Sequence, residues 1–442
     1  MGSGRQLAGI ALLALLVGVA RVPEASAQGI VISGAGPVNR SMGGASVAAP
    51  LDASGALHWN PASIAGLAGS EMELGVELLL SRSRVSSSLA AGSLGPGIPP
   101  VALAGSDETE GGVFPIPTFS AVYRPAESRW SFGLGLFSIA GFAVDYPASQ
   151  TNPILTPQPP TGLGLGAVQA ELQMFQLVPT VAYQLTDWLA IGAAPTVTAA
   201  RLTADPAFVA PPDDANGDGF ASYPAATHTR THWGAGFQVG LYATLPGDFR
   251  LGASLKSPQW LETFRFRSAD ELGRARELEF DLDYPLIASL GASYAGFERW
   301  LLALDLRYLD FAHTEGFRDT GFAPTGEVTG LGWDSAIAVA AGAQYALCER
   351  LSLRLGYTYN TNPIDDSVAS FNVASPTVFE HILYAGLSVH LTEAFLVSLA
   401  YAHAFENSVA GPIESPLGAI PGSRVESSLE VDSWMLGASV RF

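Results

Sequence analysis

Strict alternation is the dominant pattern along this chain. At its end Trp434, Leu436, Ala438, Val440 and Phe442 fall on one side of an extended segment, and Ser433, Met435, Gly437, Ser439 and Arg441 on the other. A period of two predicts a strand with one apolar face. The pattern returns at Leu351, Leu353, Leu355, Tyr357 and Tyr359, set against Ser352, Arg354, Gly356 and Thr358. It returns again at Trp300, Leu302, Leu304, Leu306 and Tyr308, set against Ala303, Asp305 and Arg307. In a soluble sandwich the apolar face would turn inward. Here aromatic residues bracket the apolar runs, Trp300 with Tyr308 and Trp434 with Phe442. That is the arrangement of two interfacial girdles on a membrane barrel.

Strands are expected over 70–82, 113–124, 129–143, 168–185, 188–203, 228–244 and 249–267. Seven more follow over 276–294, 299–313, 330–346, 350–361, 378–391, 394–407 and 425–442. Fourteen is even, as a closed antiparallel barrel requires. Closure pairs every strand edge, which lipid demands. Short connectors such as Thr186-Asp187 and Thr392-Glu393 predict periplasmic turns, and long ones such as 83–112 and 204–227 predict external loops. Both termini then lie in the periplasm. The expected fold is all-β, a 14-stranded antiparallel transmembrane β-barrel over 70–442. Around the loop near Leu272, Phe264 should oppose Phe280 and Phe266 oppose Leu278, which sets Arg265 against Glu279 and Arg267 against Glu277. Such a charged hairpin reads as solvated and external.

Two segments precede the barrel. Residues 1–27 read as a signal peptide: Arg5, an apolar run from Leu7 to Ala20, then Ala25-Ser26-Ala27, leaving Gln28 first in the mature chain. Residues 28–69 are rich in Gly, Ala and Ser and lack period two. Within them Asp52 is placed to cap one short helix and Asn60 a second. Pro61 is pre-set for a first helical position, Gly66 can end the turn, and Ile64 and Leu67 share a face. Pieces this short need something to pack against. A barrel of fourteen strands leaves a lumen that such a segment could plug.

Composition narrows the function classes. Hydrophobic residues make up 48% and charged residues only 14%, unlike an ordinary soluble surface. The 48 Gly and 30 Pro argue against a helical protein. A net charge of −19, with Lys256 the sole lysine, argues against a nucleic-acid partner. Cys348 is the one cysteine, so no intrachain disulfide is expected, and its turn position suits a plain structural role.

The stretch "SGAGPVNRSMGGASVAAPLDASGALHWNPASIAGL" (33–67) resembles the N-terminal hatch of the FadL/TodX family, outer-membrane transporters of long-chain fatty acids and other hydrophobic compounds. The matching elements are Gly43-Gly44-Ala45, Asp52 and Asn60-Pro61-Ala62. The third strand, "WSFGLGLFSIAGFAVDYP" (130–147), is similar too: Gly133 and Gly135 lead into Ile139-Ala140-Gly141-Phe142, where members kink inward. The resemblance implies passive, cofactor-free transport by a monomer in outer-membrane lipid. A hydrophobic molecule would enter an apolar pocket and leave sideways through the wall. A glycine inside an apolar strand is compatible with such a bend. Relatives that take fatty acids imply basic side chains in the pocket. Strand facing offers Arg201, Arg230, Lys256 and Arg307, each of which could equally be a wall or rim charge paired with an acid such as Asp305.

Other chemistry is weaker. Asp214, Asn216 and Asp218 begin a calcium-loop pattern, but its twelfth position is Ala225, so a plain turn competes. His228 and His232 lie about 13 Å apart on a strand and cannot share one ion. No nucleophile elbow or phosphate loop is present, and His381, His390 and His403 cannot be matched to Ser388 or Ser398 by spacing. The reading is therefore of a transporter and not an enzyme, with an adhesive barrel or a general porin as the alternatives.

Overall fold

The computed structural model describes residues 29–93, 101–109 and 112–442. The expected leader, 1–27, lies outside the described residues. Fourteen strands form the wall. They are β1 Glu71–Leu89, β2 Val113–Tyr123, β3 Trp130–Tyr146, β4 Val168–Gln184 and β5 Leu189–Asp205. Next come β6 His232–Leu245, β7 Phe249–Lys256, β8 Ile287–Tyr294, β9 Trp300–Leu309 and β10 Ala336–Cys348. The last four are β11 Leu351–Asn360, β12 His381–His390, β13 Phe395–Gly411 and β14 Ser423–Arg441. Each pairs antiparallel with its sequence neighbour, and β1 pairs with β14 from Glu71↔Arg441 to Leu89↔Ser423, which closes the barrel.

The alternation in the sequence is the alternation of the wall. On β9, Leu306 and Tyr308 are exposed while Asp305 and Arg307 are buried. On β14, Trp434 and Leu436 are exposed and Ser433 and Met435 buried. The apolar face therefore points outward, the reverse of a soluble sandwich. No helix among the described residues is long and apolar enough to cross a membrane.

Two expected strands are shorter than 249–267 and 276–294. β7 stops at Lys256, just before Ser257-Pro258, and β8 starts at Ile287, after Pro285. Proline cannot donate to a ladder and interrupts a central strand. The chain between them forms a separate hairpin, Phe264–Ala269 with Ala275–Phe280, joined by His228–Thr229. Its register is the expected one, Phe264↔Phe280 and Arg265↔Glu279 included. β1 runs beyond 82 to Leu89, and Leu103–Glu108 folds back on it, so part of the expected 83–112 loop is sheet.

The segment before β1 folds inside the ring. It contains α1 (Gly36–Ser41), α2 (Ala53–Trp59) and a 3₁₀ turn, Pro61–Gly66. α1 has no counterpart in the sequence reading. Asn60 caps the 3₁₀ turn as expected, its Oδ1 accepting from Ala62 N at 3.1 Å. Asp52 occupies the N-cap position of α2 without a capping hydrogen bond from its side chain.

Candidate functional site: an inner segment, a broken wall and a cavity between them

The inner segment sits in a socket of glycines. Gly192 faces Gly240, Gly252 faces Gly291, Gly342 faces Gly356 and Gly75 faces Gly437 across neighbouring strands. A Cβ on Gly240 would lie 2.0 Å from Asn60 Oδ1, one on Gly252 2.2 Å from the Val47 carbonyl, and one on Gly356 2.0 Å from Gly43 N. Inward polar side chains then bind the segment's carbonyl groups. Thr358 donates to Gly43 O (2.8 Å), Ser293 to Ala48 O (2.7 Å) and Ser254 to Trp59 O (2.6 Å). Asn60 Nδ2 donates to Val47 O within the segment and to Leu241 O of β6. Asp305 accepts from Ser46 N (2.8 Å) and Val47 N (3.1 Å), and Arg307 donates to Gly44 O (2.6 Å).

Of the four basic candidates, two therefore meet the inner segment. The Arg307 guanidinium lies 3.5 Å from the centre of the Trp59 ring and Lys256 Nζ lies 4.9 Å from it, both buried. The other two are not in the lumen at all. Arg201 is on the exposed face of β5, between buried Ala200 and Leu202, and Arg230 is exposed and paired with Glu262. Buried among these charges, His58 is held well below its ordinary pKa, by desolvation first and then by Lys256, Arg307 and Arg40.

The wall is incomplete between β2 and β3. They pair only from Thr118↔Phe137 to Tyr123↔Phe132. Below Thr118, Val113–Pro117 pair with β1 alone. Pro115 and Pro117 lack N–H donors, which suits an unpaired edge. On β3 the register against β4 shifts between Ser138 and Ala140, a bulge at Ile139. Phe137, Ser138, Ile139 and Ala140 are buried in succession, after which Val144 and Tyr146 point inward, so the facing parity has changed. The free edge takes up the inner segment instead. Ile32 N donates to Ile139 O (3.1 Å), Gly141 N donates to Ile30 O (3.3 Å), and Val31 bridges Ala140.

A cavity of about 200 Å³ lies at this break. Its lining includes Ile30 and Val31, Phe114 and Ile116 of β2, and Phe142 and Val144 of β3. Gln173 and Phe175, which have the outward parity of β4, also line it, so residues of both faces of the wall border the cavity. Its polar end is Arg40 of α1, whose Nη2 donates to Glu77 of β1 at 2.7 Å. The sequence reading missed Arg40, Glu77, Pro115 and Pro117. The prolines two apart were a legible sign of an edge, whereas nothing local joins Arg40 to Glu77.

The remaining candidates do not gather into a catalytic site. Ser388 and Ser398 contact each other at 2.6 Å, while His381 meets Tyr357 and His403 meets Asp432. Asp214, Asn216 and Asp218 accept from the backbone N–H groups of their own loop. Among the described residues one group, His403, Glu430 and Asp432, could converge on a cation. It lies on partly exposed positions of β13 and β14, where Arg82 and Tyr401 already bond Asp432.

The family profile described as "Outer membrane protein transport protein (OMPP1/FadL/TodX)" matches residues 16–442. The chain belongs to the OMPP1/FadL/TodX family. As a member of that family it is an outer-membrane protein. Solved members share its fold. A Pseudomonas aeruginosa FadL homologue superposes with a TM-score of 0.70 at 15% identity, over 94% of this chain and 100% of the other. The Pseudomonas putida toluene transporter TodX gives 0.64 at 16%, over 93% and 99%. The Ralstonia pickettii toluene transporter TbuX gives 0.64 at 17%, over 93% and 99%. A search of curated proteins gives no match.

Proposed function

We propose that this FadL/TodX-family protein is a passive transporter that passes small hydrophobic molecules sideways into the outer membrane. The carrying observation is the cavity at the β2–β3 break, bordered by Val31, Ile116 and Phe142 and by residues of both wall faces. A hydrophobic solute gains by moving from water to that cavity and passes on into lipid without returning to water, so no energy source is needed. An engineered cavity of about 150 Å³ holds a benzene-sized molecule, and about 200 Å³ is room for a molecule of that order. The toluene transporters TodX and TbuX share the fold and support this reading. Residues 28–69 act as a hatch that blocks a straight aqueous path, which favours a transporter over a general porin. Transport of this kind needs no catalytic step.

The test is a reversible lock. Val31 and Ala140 oppose each other across the bridge at the break. Antiparallel partners have Cα atoms about 4.5–5.5 Å apart, within disulfide reach. Val31→Cys with Ala140→Cys, in a Cys348→Ser background, should stop uptake of an alkane or monoaromatic when oxidised and restore it on reduction. Equal uptake in both states would sink the sideways route.

A further inference from the structure

A second cavity, of about 60 Å³, lies beside the wall cavity. Phe208, Phe280, Leu282, Phe317 and Leu331 line it. They belong to the long connectors β5–β6, β7–β8 and β9–β10, so it sits toward the barrel end opposite the short turns. Among the described residues, Phe142 of β3 and Leu172 of β4 are the two that line both cavities. They are direct cross-strand partners. Such partners have Cβ atoms about 4.5–5.5 Å apart, so the two side chains form one sill between the spaces.

The bulge at Ile139 puts Phe142 on that sill. Before it the even positions Leu134 and Leu136 are exposed; after it the even positions Val144 and Tyr146 are buried. Phe142 has the second parity and packs against the main apolar core. Without the extra residue its ring would face lipid. An aromatic ring fits a cavity of about 150 Å³, and two linked rings need about twice that. The wall cavity, at about 200 Å³, has room for one ring and not for two. The outer cavity is too small for either. Removing the Phe142 side chain would join the two spaces and add the volume of its own ring. We infer that Phe142, opposite Leu172, is a partition that sets the upper size limit of what the wall cavity accepts. This limit rests on the transport reading of the same cavity.

The test uses cells stripped of their own hydrophobe transporters and producing the full-length protein. Uptake of radiolabelled toluene and biphenyl is measured above that of cells carrying an empty plasmid. The unaltered protein should take up toluene in clear preference to biphenyl. Phe142→Ala should raise the biphenyl-to-toluene ratio about tenfold, the scale of relieved overpacking. Phe142→Leu, which keeps an apolar side chain on the sill, should raise it less and carries the test if the alanine variant does not fold. Phe208→Ala removes an equal ring from the outer cavity without opening the sill, and should leave the ratio as it was. Heat-dependent gel mobility checks that each barrel is folded. Equal uptake of both molecules by the unaltered protein, an unmoved ratio in the folded Phe142 variants, or an equal rise in Phe208→Ala overturns the partition and leaves transport standing. Uptake of neither molecule above the empty-plasmid level, in any variant, would overturn the transport reading itself.

Discussion

Arg307 of the wall clasps Trp59 of the inner segment: its guanidinium lies 3.5 Å from the ring centre while Nη2 donates to the Gly44 carbonyl and to Asp305. One side chain thus joins two turns of the hatch to β9. Arg307→Ala should leave Asp305 buried and unpaired, a change worth about 3–5 kcal/mol in buried pairs. The expected result is a loosened hatch in an intact barrel. It would be seen as protease cleavage within 28–69 and as new ion conductance in planar bilayers, with heat-dependent gel mobility preserved.

The glycine socket makes a steric prediction. A Cβ at Gly356 would sit 2.0 Å from Gly43 N, a backbone atom that cannot rotate away. Gly69 has nothing within 4 Å of the same position. Gly356→Ala should therefore lower the thermal midpoint by several degrees, on the scale of the about 1–3 kcal/mol typical of overpacking. Gly69→Ala should leave it unchanged.

Much of this architecture was legible because it is local. Asn60 caps Pro61–Gly66 through an oxygen two residues from its donor, and Phe264 meets Phe280 because a short hairpin fixes both. Pro258 and Pro285 carried the information that the two long strands break, and the alternation on either side masked it. Arg201 was misplaced for a different reason. β5 carries alanine on both faces, at 193, 194, 199 and 200, so its sequence does not say which parity turns inward. Lys256 and Arg307 were read from strand facing as pocket candidates, and that facing carries no sign of the Trp59 ring that meets them. The Arg40–Glu77 pair joins residues 37 apart on different elements, and only the folded barrel brings them together.

The unpaired edge yields a third prediction. Pro115→Val with Pro117→Val would restore two backbone donors to β2 and favour strand geometry. Any that face β3 could extend the ladder past Thr118 and narrow the break. Uptake of a monoaromatic into proteoliposomes should fall severalfold while barrel assembly is preserved. Unchanged uptake would mean that the prolines do not hold the break open.

Asp52 gives the hatch a pH dependence. Both of its carboxylate oxygens are buried without a hydrogen-bond donor. Burial first, and then the charge of Glu71, push its pKa up to about 7, with Arg354 acting in the opposite direction. The neighbouring backbone is fixed by acids of β1: Ala53 N donates to Glu71 and Ser54 Oγ to Glu73, while Arg441 pairs with Glu71. An unfolded aspartate titrates near about 3.9. Between that pH and about 7 the folded chain holds a proton that the unfolded chain has lost. The resulting stability is fully present below the unfolded pKa. It falls as pH rises through this window, by at most about 1.4 kcal/mol per pH unit, and levels off above it. Denaturation midpoints should therefore drop from pH 5 to pH 8. Asn is as good an N-cap as Asp and stays uncharged, so Asp52→Asn should flatten that slope and raise the midpoint at pH 8. A slope equally steep in Asp52→Asn would assign the titration to another buried acid.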